Sequence, residues 1–403
     1  MASQLEHIVI IVKENHTFDN YFGTFAGANG GLLTHAANPP TGDPDHKHQT
    51  WMLRQNDTVH RVQYNKNDVP VYFALASSFT LCDNYFSEVA GPSTPNHLML
   101  ICADAPIINN PAHHYRPTAG QAYNLNSLPL ALERAGKTWG NYGGYAFRYI
   151  SELAGHRNNH SRDAFKQDAL KGKLPNVSWV YGDGKPDLSE HPVQNVTDGS
   201  RWTAEQVDAI VQGGLWEKTA IFVTWDDWGG WFDHVVPPIK EAWDSGRAQR
   251  SPDAFPEFNG QPFRFGSRVP CLVISPFAKP GHVSHQENSH VSLVKFCEST
   301  FGIASLNQRD GASNGMSDCF DFHQSPNPPP AAHLLPPVLP DPGKRPAKRP
   351  VKRPARPSGI KKKVKRGSRS AGMALKNSSP KKHLRATPAG GRRPAKRKRA
   401  GRR

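Results

Sequence analysis

Several short, continuously apolar runs in this chain stop abruptly at side chains that can bind cations. Two of these runs are residues 7–12 (HIVIIV) and residues 220–225 (AIFVTW). Runs this short and apolar are typical of strands covered on both faces, as in a parallel sheet. The polar residues that follow them are Glu14, Asn15, Asp226 and Asp227. Because ligands of parallel sheets bind beyond the carboxyl ends of the strands, we expect these four residues at one edge of the sheet.

Helical patterns alternate with the apolar runs. Further strands are expected at residues 177–181 and 269–275, and helices at 127–135, 203–212 and 289–301. Two loops, at about 26–68 and 237–267, are expected to shape the entrance to a substrate site. The helix at 203–212 is expected to begin at Thr203, because Thr203 and Gln206 form a Thr-x-x-Gln capping pattern. Alternating strands and helices predict an α/β fold, an α/β/α sandwich with a largely parallel central sheet.

The net charge of +16 is concentrated in one segment. Residues 343–403 contain 25 Lys and Arg and no Asp or Glu, whereas the rest of the chain has 25 basic and 34 acidic residues. We therefore predict a catalytic domain at 1–325, a Pro-rich linker at 326–342 and a disordered basic tail at 343–403. Such a tail suits binding to nucleic acid or to an anionic membrane surface, and a purely solvating extension is the alternative.

The cysteines and the hydropathy of the chain indicate its cellular compartment. The five cysteines are odd in number and lack metal-ligand spacing, so we expect buried free thiols and not a disulfide framework. No apolar run is long enough for a transmembrane helix, and the N-terminal residues lack the pattern of a secretory signal. These features predict a cytoplasmic protein.

The acidic pair Asp226-Asp227 is the first candidate for a metal site. Two adjacent acids at the end of an apolar strand are unfavourable unless a cation or a basic group compensates them. Glu14 and Asn15 would add a carboxylate and an amide oxygen, and such oxygen ligands suit Mg²⁺, Ca²⁺ or Mn²⁺, with Zn²⁺ also possible. For the acidic pair alone, a turn in which both acids are solvated explains the pattern equally well.

A Gly-Pro turn at residues 91–97 (GPSTPNH) leads into an apolar segment that we expect to be helical. This would place Thr94 at a helix N-terminus, where N–H groups and the helix dipole favour phosphate. A hydroxyl that also coordinates a metal there can act as a nucleophile. On this segment alone, an ordinary helix cap at Ser93 or Thr94 is the simpler explanation.

Histidines near these segments are candidates for acid–base catalysis because they titrate near neutral pH. His191 lies in a polar loop after the strand at 177–181, and His234 follows the acidic pair. A solvated side chain is the more common role of a single loop histidine. The clustered histidines His282, His285 and His290 have no other chemical signal nearby, and we interpret them as ordinary polar residues.

The order of these segments resembles the phosphoesterase family that contains bacterial phospholipases C and acid phosphatases. Residues 14–23 (ENHTFDNYFG) resemble its opening signature, and residues 91–97 resemble its nucleophile segment. Three further regions resemble later motifs: residues 190–192 (EHP), 224–235 (TWDDWGGWFDHV), and the closing segments 289–302 and 317–322. The resemblance covers residues 5–322 with all motifs in family order, and it implies an alkaline-phosphatase-like α/β/α fold.

The resemblance also implies a role for each matching residue. The metal ligands would be Glu14, Asn15, Asp226 and Asp227, with Thr94 as both a ligand and the nucleophile. His191 and His234 would bind phosphoryl oxygens or protonate the leaving group. The residues that contact the substrate phosphate would be Asn96, His97 and His16.

This chain departs from the family pattern at three positions. His16 and His97 stand where many members have Arg, so any phosphate contact there would not be permanently cationic. Trp228 stands where many members have His after the acidic pair. Because Trp228 cannot coordinate a metal, we expect one divalent ion (Ca²⁺, Mg²⁺, Mn²⁺ or Zn²⁺) and not two.

These observations predict a metal-dependent phosphoester hydrolase of the phospholipase C type, which cleaves phosphodiesters through a phospho-threonine intermediate. Phospholipids are candidate substrates. A phosphomonoesterase resembling the acid phosphatases is the alternative within the family. A nucleic-acid-binding protein that acts through its basic tail is the non-enzymatic alternative.

Overall fold

The computed structural model describes residues 4–54, 60–115, 122–242 and 262–330. The predicted basic tail at 343–403 and most of the predicted linker lie outside these ranges, so the predictions for them stay predictions. At the start of the linker, the Asn327 side chain donates to the carbonyl of Ala278, and the Trp216 indole donates to the carbonyl of Asn327. The packed part of the chain therefore extends beyond residue 325.

The described residues form strands that are mostly short and buried. In chain order these are β1 (His7–Lys13), β2 (Thr34–His35), β3 (Val62–Gln63), β4 (Thr80–Cys82), β5 (Tyr85–Phe86), β6 (Trp139–Tyr142), β7 (Asn159–His160), β8 (Val177–Tyr181), β9 (Thr219–Trp225), β10 (Ile239–Ala242), β11 (Pro262–Arg264), β12 (Cys271–Ile274), β13 (His282–Ser284) and β14 (Asn288–Ser289).

Helices connect and cover the strands. They are α1 (Phe18–Phe22), α2 (His48–Met52), α3 (Pro70–Ser78), α4 (Ser93–Cys102), α5 (Leu128–Arg134), α6 (Ala164–Leu170), α7 (Val196–Gln212), α8 (His290–Phe301) and α9 (Gln308–Ala312). Among the described residues, no helix is long and apolar enough to cross a membrane.

An eight-stranded sheet in the order β13-β4-β12-β9-β1-β8-β6-β7 forms the centre of the molecule. Strand β1 pairs in parallel with β8 on one side and with β9 on the other, so that Ile8 lies opposite both Val177 and Ala220. Strand β12 runs antiparallel to both of its neighbours, β9 and β4. The predicted α/β fold with a largely parallel sheet is confirmed, and the apolar run at 269–275 supplies the reversed strand.

Both faces of this sheet are covered. Phe222 and Trp225 occupy positions of opposite parity in β9, so their side chains point to opposite faces. Phe222 packs against Phe296 of α8 with a ring separation of 5.0 Å, and Trp225 packs against Tyr72 of α3 at 5.1 Å. The helices α4, α5 and α8 pack together as one group, and α3 and α6 pack against α7. This is the layered arrangement that the sequence predicts.

Helix α7 begins earlier than the capping pattern at Thr203 indicates. Its N-cap is Asn195, whose side chain accepts hydrogen bonds from the backbone N–H groups of Thr197 and Asp198. Thr203 lies inside the helix, where its hydroxyl donates to the Gly199 carbonyl. The prediction of a start at Thr203 is wrong because a stronger cap lies upstream and the intervening residues continue the helix. The helices predicted at 127–135 and 289–301 are confirmed to within one residue at each end.

The five cysteines are free and buried, as predicted. The sulfur atoms of Cys82 and Cys319 lie 3.6 Å apart.

A buried carboxyl pair links α8 to α9 and makes stability depend on pH. The backbone N–H of Leu306 donates to Glu298 Oε1 at 3.2 Å and to Asp310 Oδ2 at 2.6 Å. Burial and the neighbouring Asp310 raise the pKa of Glu298 to about 8. A carboxyl group whose pKa is raised on folding contributes stability below its unfolded pKa, and this contribution is lost as the pH rises through the folded pKa.

We therefore expect the free energy of unfolding to fall between about pH 5 and pH 8, by a few kcal/mol at most, since one pKa unit corresponds to about 1.4 kcal/mol. The Glu298→Gln variant should show a much flatter dependence in urea denaturation across this range. Glu205→Gln, a change at the half-exposed pair with Lys166, is the control and should keep the wild-type slope. An unchanged slope in Glu298→Gln would contradict the assignment.

Candidate active site

The carboxyl ends of β1 and β9 bring Glu14, Asn15 and the acidic pair together. In the register of these two strands Lys13 lies opposite Trp225, so the residues that follow them are neighbours. The backbone N–H of Asn15 donates to Asp226 Oδ1 at 3.0 Å, and all four polar residues are almost completely buried. The expectation of one polar edge is confirmed.

A tight turn after β9 holds the acidic pair against Asn15. The Gly229 N–H donates to Asp227 Oδ1 at 2.7 Å, and Gly229 has a φ of 59°. A Cβ atom at Gly229 would lie 2.0 Å from the Asn15 carbonyl oxygen. Any other residue would therefore push the acidic turn away from Asn15.

The N-terminus of α4 presents Ser93 to this acidic edge. Ser93 Oγ donates to Asp227 Oδ2 at 3.0 Å and lies 3.4 Å from Asn15 Oδ1. Thr94 points elsewhere: its hydroxyl lies 3.0 Å from the Tyr145 hydroxyl, and its backbone N–H donates to Asn110. Consecutive residues of a helix point about 100° apart, so only one of the two can face the acids. Ser93 therefore occupies the position beside the acidic residues that we predicted for Thr94.

Asn96 and His97 follow on the same helix. The Asn96 side chain accepts from the Val89 N–H and donates to carbonyl groups of the loop before α4, which fixes the approach to Ser93. These bonds use its polar atoms within the loop, so its placement favours a positioning role over a phosphate contact. His97 is fully buried, and its Nε2 donates to Asp226 Oδ2 at 3.0 Å.

Buried acidic side chains outnumber buried basic ones at this edge of the sheet. Burial, together with the nearby acids, raises the pKa of Glu14 and that of Asp227 well above the usual range. Burial also acts on Asp226, but the hydrogen bond and charge of His97 outweigh it and hold the pKa at about 2. Asp183, which follows β8, has its pKa raised to about 6, mainly by burial. A bound cation would relieve this accumulation of buried negative charge.

Buried polar atoms without hydrogen-bond partners also indicate that a cation binds at this edge. Four of them belong to residues clustered at this edge: Glu14 Oε1, His97 Nδ1, Tyr181 Oη and Asp183 Oδ1. Ligand atoms of Glu14, His97 and Asp226 all lie within 4.8 Å of one another. Buried polar groups normally have hydrogen-bond partners, so a group of unpartnered ones is typical of a site built for an ion. The residues present therefore fit a divalent cation.

His191 lies beside this site, as predicted. Its Nε2 is 3.9 Å from Glu14 Oε2, and its side chain is partly exposed to a cavity. It follows Glu190, which has a positive φ of 74° and a fully buried side chain. The turn at Glu190 thus sends the acid into the protein interior and leaves the histidine at the surface of the site.

His234 and His16 lie in other surroundings. His234 Nδ1 is 2.7 Å from Asp19 Oδ2, in a cluster with Asp233 and the fully buried Arg268. His16 stacks on Trp231, and its ring nitrogens lie 2.6 Å from Asn20 Oδ1 and 2.9 Å from the Glu190 carbonyl. Burial lowers the pKa of His16 to about 4. The placement of these two histidines does not favour direct contact with a substrate phosphate.

Arg268 was not identified from sequence, although it organises this second cluster. Its guanidinium contacts Asp19 at 3.0 Å and Asp233 at 2.8 Å, so the two acids already have a cationic partner. A metal ion is therefore not needed there, even though Asp19, Asp233 and His234 come close enough to hold one.

His290 is a further residue that sequence reasoning missed. The clustered histidines were interpreted as ordinary polar residues, but His290 is fully buried and its Nε2 donates to the Asp226 carbonyl at 2.6 Å. Tyr85 contacts the other ring nitrogen. The start of α8 lies under the acidic turn, and this proximity arises only from the fold.

A cavity of about 1040 Å³ opens in front of Ser93. Its walls come from residues 43–49, within the loop predicted to shape a mouth, and from residues 109–115. The side chains that line it include His46, His113, His114, His191, Lys47 and Tyr115. Trp228 contacts this wall, since its indole donates to the His46 carbonyl at 2.8 Å. Asp43 and Asp45 also line the cavity and pair with His46 and Lys47. A wall of polar and ionisable side chains suits a polar substrate.

The sequence profile of the phosphoesterase family matches residues 5–57 and 41–304, which include every residue of this edge. The chain belongs to the phosphoesterase family. This membership confirms the predicted family and the predicted class of enzyme, a hydrolase of phosphoric esters.

Phospholipase C B of Mycobacterium tuberculosis is 29% identical to this member of the family, and the match covers 81% of this chain and 79% of the relative. Non-hemolytic phospholipase C of Pseudomonas aeruginosa is also 29% identical, over 81% of this chain and 58% of the relative. Among solved structures, human ectonucleotide pyrophosphatase/phosphodiesterase 5 matches with a TM-score of 0.45 and 9% identity, over 78% of this chain and 100% of that one.

Proposed function

We propose that this protein is a metal-dependent phosphoester hydrolase of the phospholipase C type, and that Ser93 is its nucleophile. The observation that carries the proposal is the position of Ser93 Oγ, which Asp227 and Asn15 hold at the floor of the cavity. A nucleophilic hydroxyl needs activation, and the acidic edge beside Ser93 supplies a place for an activating cation.

The cation would be held by Glu14, Asn15, Asp226 and Asp227. When bound, a divalent ion lowers the pKa of a coordinated hydroxyl and stabilises negative charge on phosphoryl oxygens. The buried charge and the unpartnered Glu14 Oε1 support this assignment. The cation proposed is a single ion, because Trp228 occupies the position after the acidic pair and packs against Trp51.

The residues around Ser93 suit a double displacement. Ser93 Oγ attacks phosphorus, the bond from phosphorus to the leaving oxygen breaks, and the hydroxyl proton leaves along its hydrogen bond to Asp227. His191, at the cavity side of the edge, is placed to protonate the leaving alcohol. Water then attacks phosphorus and gives its proton to His191, the bond from phosphorus to Ser93 Oγ breaks, and Asp227 returns the proton that restores the Ser93 hydroxyl. The intermediate proposed here is thus on Ser93 and replaces the phospho-threonine expected from sequence.

Diester hydrolysis is the first choice of reaction, because the relatives reported above are phospholipases C. Hydrolysis of phosphomonoesters, as by the acid phosphatases of the family, is the second candidate. The large polar cavity is compatible with either, since both substrates present a polar phosphoryl group.

The two candidates differ in the rates they predict for simple chromogenic substrates. With saturating metal, we expect the choline diester of p-nitrophenyl phosphate to be hydrolysed at least about 10-fold faster than the monoester, measured as kcat/KM. Asp227→Asn should lower both rates by about 10³-fold, because it weakens the hold on Ser93 and on the cation. A faster monoester reaction would favour the phosphatase. Absence of hydrolysis with each of Ca²⁺, Mg²⁺, Mn²⁺ and Zn²⁺ would contradict the proposal as a whole.

A further inference from the structure

We infer that His97 is a nitrogen ligand of the active-site cation, and that it gives the site a preference for a transition metal, Zn²⁺ above all, over Mg²⁺ and Ca²⁺. The inference rests on the proposed metal-dependent function. It adds a ligand to the oxygen set and names the class of ion that the complete set would take.

The geometry places His97 among the ligands. Its ring offers a nitrogen within 4.8 Å of carboxylate oxygens of Glu14 and Asp226. Its Nε2 lies 3.0 Å from Asp226 Oδ2. Two ligands of one Zn²⁺ ion adopt a similar separation, because bonds of about 2.0–2.1 Å put adjacent ligand atoms about 3 Å apart. An ion could therefore replace the hydrogen bond between His97 and Asp226 with little movement of either side chain.

The surroundings of His97 hold the ring in place without using all of its polar atoms. The ring lies between Tyr145 and Tyr181, with ring separations of 5.1 Å and 5.4 Å. The ring nitrogen that faces the carboxylates is Nε2. The neighbouring Glu14 Oε1 is buried and has no hydrogen-bond partner among the described residues. An imidazole nitrogen beside a buried carboxylate oxygen without a partner is a combination of donors that a transition metal takes up.

The chemistry of the His97 side chain determines which metal ion the site prefers. A guanidinium group at this position would carry a fixed positive charge and could not coordinate a metal. A neutral imidazole can coordinate, and imidazole nitrogen suits Zn²⁺ and other late first-row ions, whereas Mg²⁺ and Ca²⁺ take oxygen ligands. Beside the carboxylates of Glu14 and Asp226, the imidazole of His97 makes the oxygen set a mixed oxygen and nitrogen set, which Zn²⁺ accepts.

Metal binding by the full-length chain, measured without substrate, tests the inference. The chain is stripped with a chelator, and affinities for Zn²⁺ and Mg²⁺ are measured separately, Zn²⁺ by competition with a chromophoric chelator and Mg²⁺ by calorimetry. We expect His97→Gln to weaken Zn²⁺ binding by about 100-fold or more and Mg²⁺ binding by less than about 3-fold, because only Zn²⁺ gains from the nitrogen. His97→Asn, which has a shorter amide side chain, should likewise lower the ratio of the Zn²⁺ affinity to the Mg²⁺ affinity.

His282→Gln is the matched control, since His282 pairs with Asp318 outside this edge and the variant should bind both ions as the wild type does. Thermal unfolding of the stripped proteins identifies a variant that fails to fold. Unchanged Zn²⁺ affinity in folded His97→Gln, or a wild-type preference for Mg²⁺, would overturn the inference. A chain that binds Zn²⁺ through His97 but hydrolyses no phosphoester would instead contradict the proposed function alone.

Discussion

Replacing Ser93 with alanine should lower kcat on the preferred phosphoester by about 10³-fold or more, while the protein stays folded. The reason is that Ser93 Oγ is the hydroxyl that Asp227 and Asn15 hold at the edge of the sheet. Removing it takes away the attacking atom and leaves the carboxylates in place. Steady-state rates and the free energy of unfolding, measured on the same preparation, separate a chemical defect from a folding defect.

The neighbouring threonine provides the control. Thr94→Val keeps the shape of the side chain and removes the hydroxyl that contacts Tyr145. We expect its kcat to stay within about 10-fold of wild type, because that hydroxyl does not reach the acidic pair. After acid quenching during turnover, mass spectrometry of the peptide that contains residues 91–97 should find phosphate on Ser93. An inactive Thr94→Val beside an active Ser93→Ala would return the nucleophile to Thr94.

Replacing Glu190 with glutamine should destabilise the protein by about 3–5 kcal/mol, the usual effect of breaking a buried ion pair. Glu190 Oε1 lies 3.1 Å from Lys13 Nζ, and both side chains are completely buried. The hydroxyl of Tyr21 and the indole of Trp225 donate to the other carboxylate oxygen. Burial lowers the pKa of Lys13, so an unpaired Lys13 would also lose its proton more readily. Urea denaturation measures the loss.

The double variant Lys13→Met/Glu190→Gln should lose less than the sum of the two single changes, because it leaves no unpaired buried charge. Lys166→Ala breaks the half-exposed pair with Glu205 and should lower the free energy of unfolding by less than about 1 kcal/mol. This variant measures how much a partly exposed ion pair contributes. A loss below about 1 kcal/mol in Glu190→Gln would show that the buried pair does not stabilise the fold as argued.

The sequence was informative wherever a local pattern and a general rule of the fold coincide. The apolar runs before Glu14 and Asp226 predicted parallel neighbouring strands, and the position of ligands at strand ends then predicted one polar edge. Both predictions agree with the pairing of β1 and β9. The same reasoning predicted that part of residues 26–68 would shape a mouth, and residues 43–49 line the cavity.

The remaining features depend on angles and distances that spacing alone does not contain. Choosing between Ser93 and Thr94 requires the rotational phase of α4, which is set by where the helix begins. His16 and His234 lie within segments that resemble the family motifs, but His16 packs against Trp231 and His234 pairs with Asp19, away from the acidic edge. Arg268 and His290 reach their partners only through contacts between segments far apart in sequence.

The hydrogen bond from the Trp228 indole to the His46 carbonyl joins two parts of the molecule that have separate tasks. Trp228 directly follows the acidic pair, and His46 belongs to the wall of the cavity. A substrate that displaced the wall would therefore also act on the turn that carries Asp226 and Asp227. If the proposed cation binds at that turn, any effect of substrate on its affinity must be matched by an equal effect of the cation on the affinity for substrate.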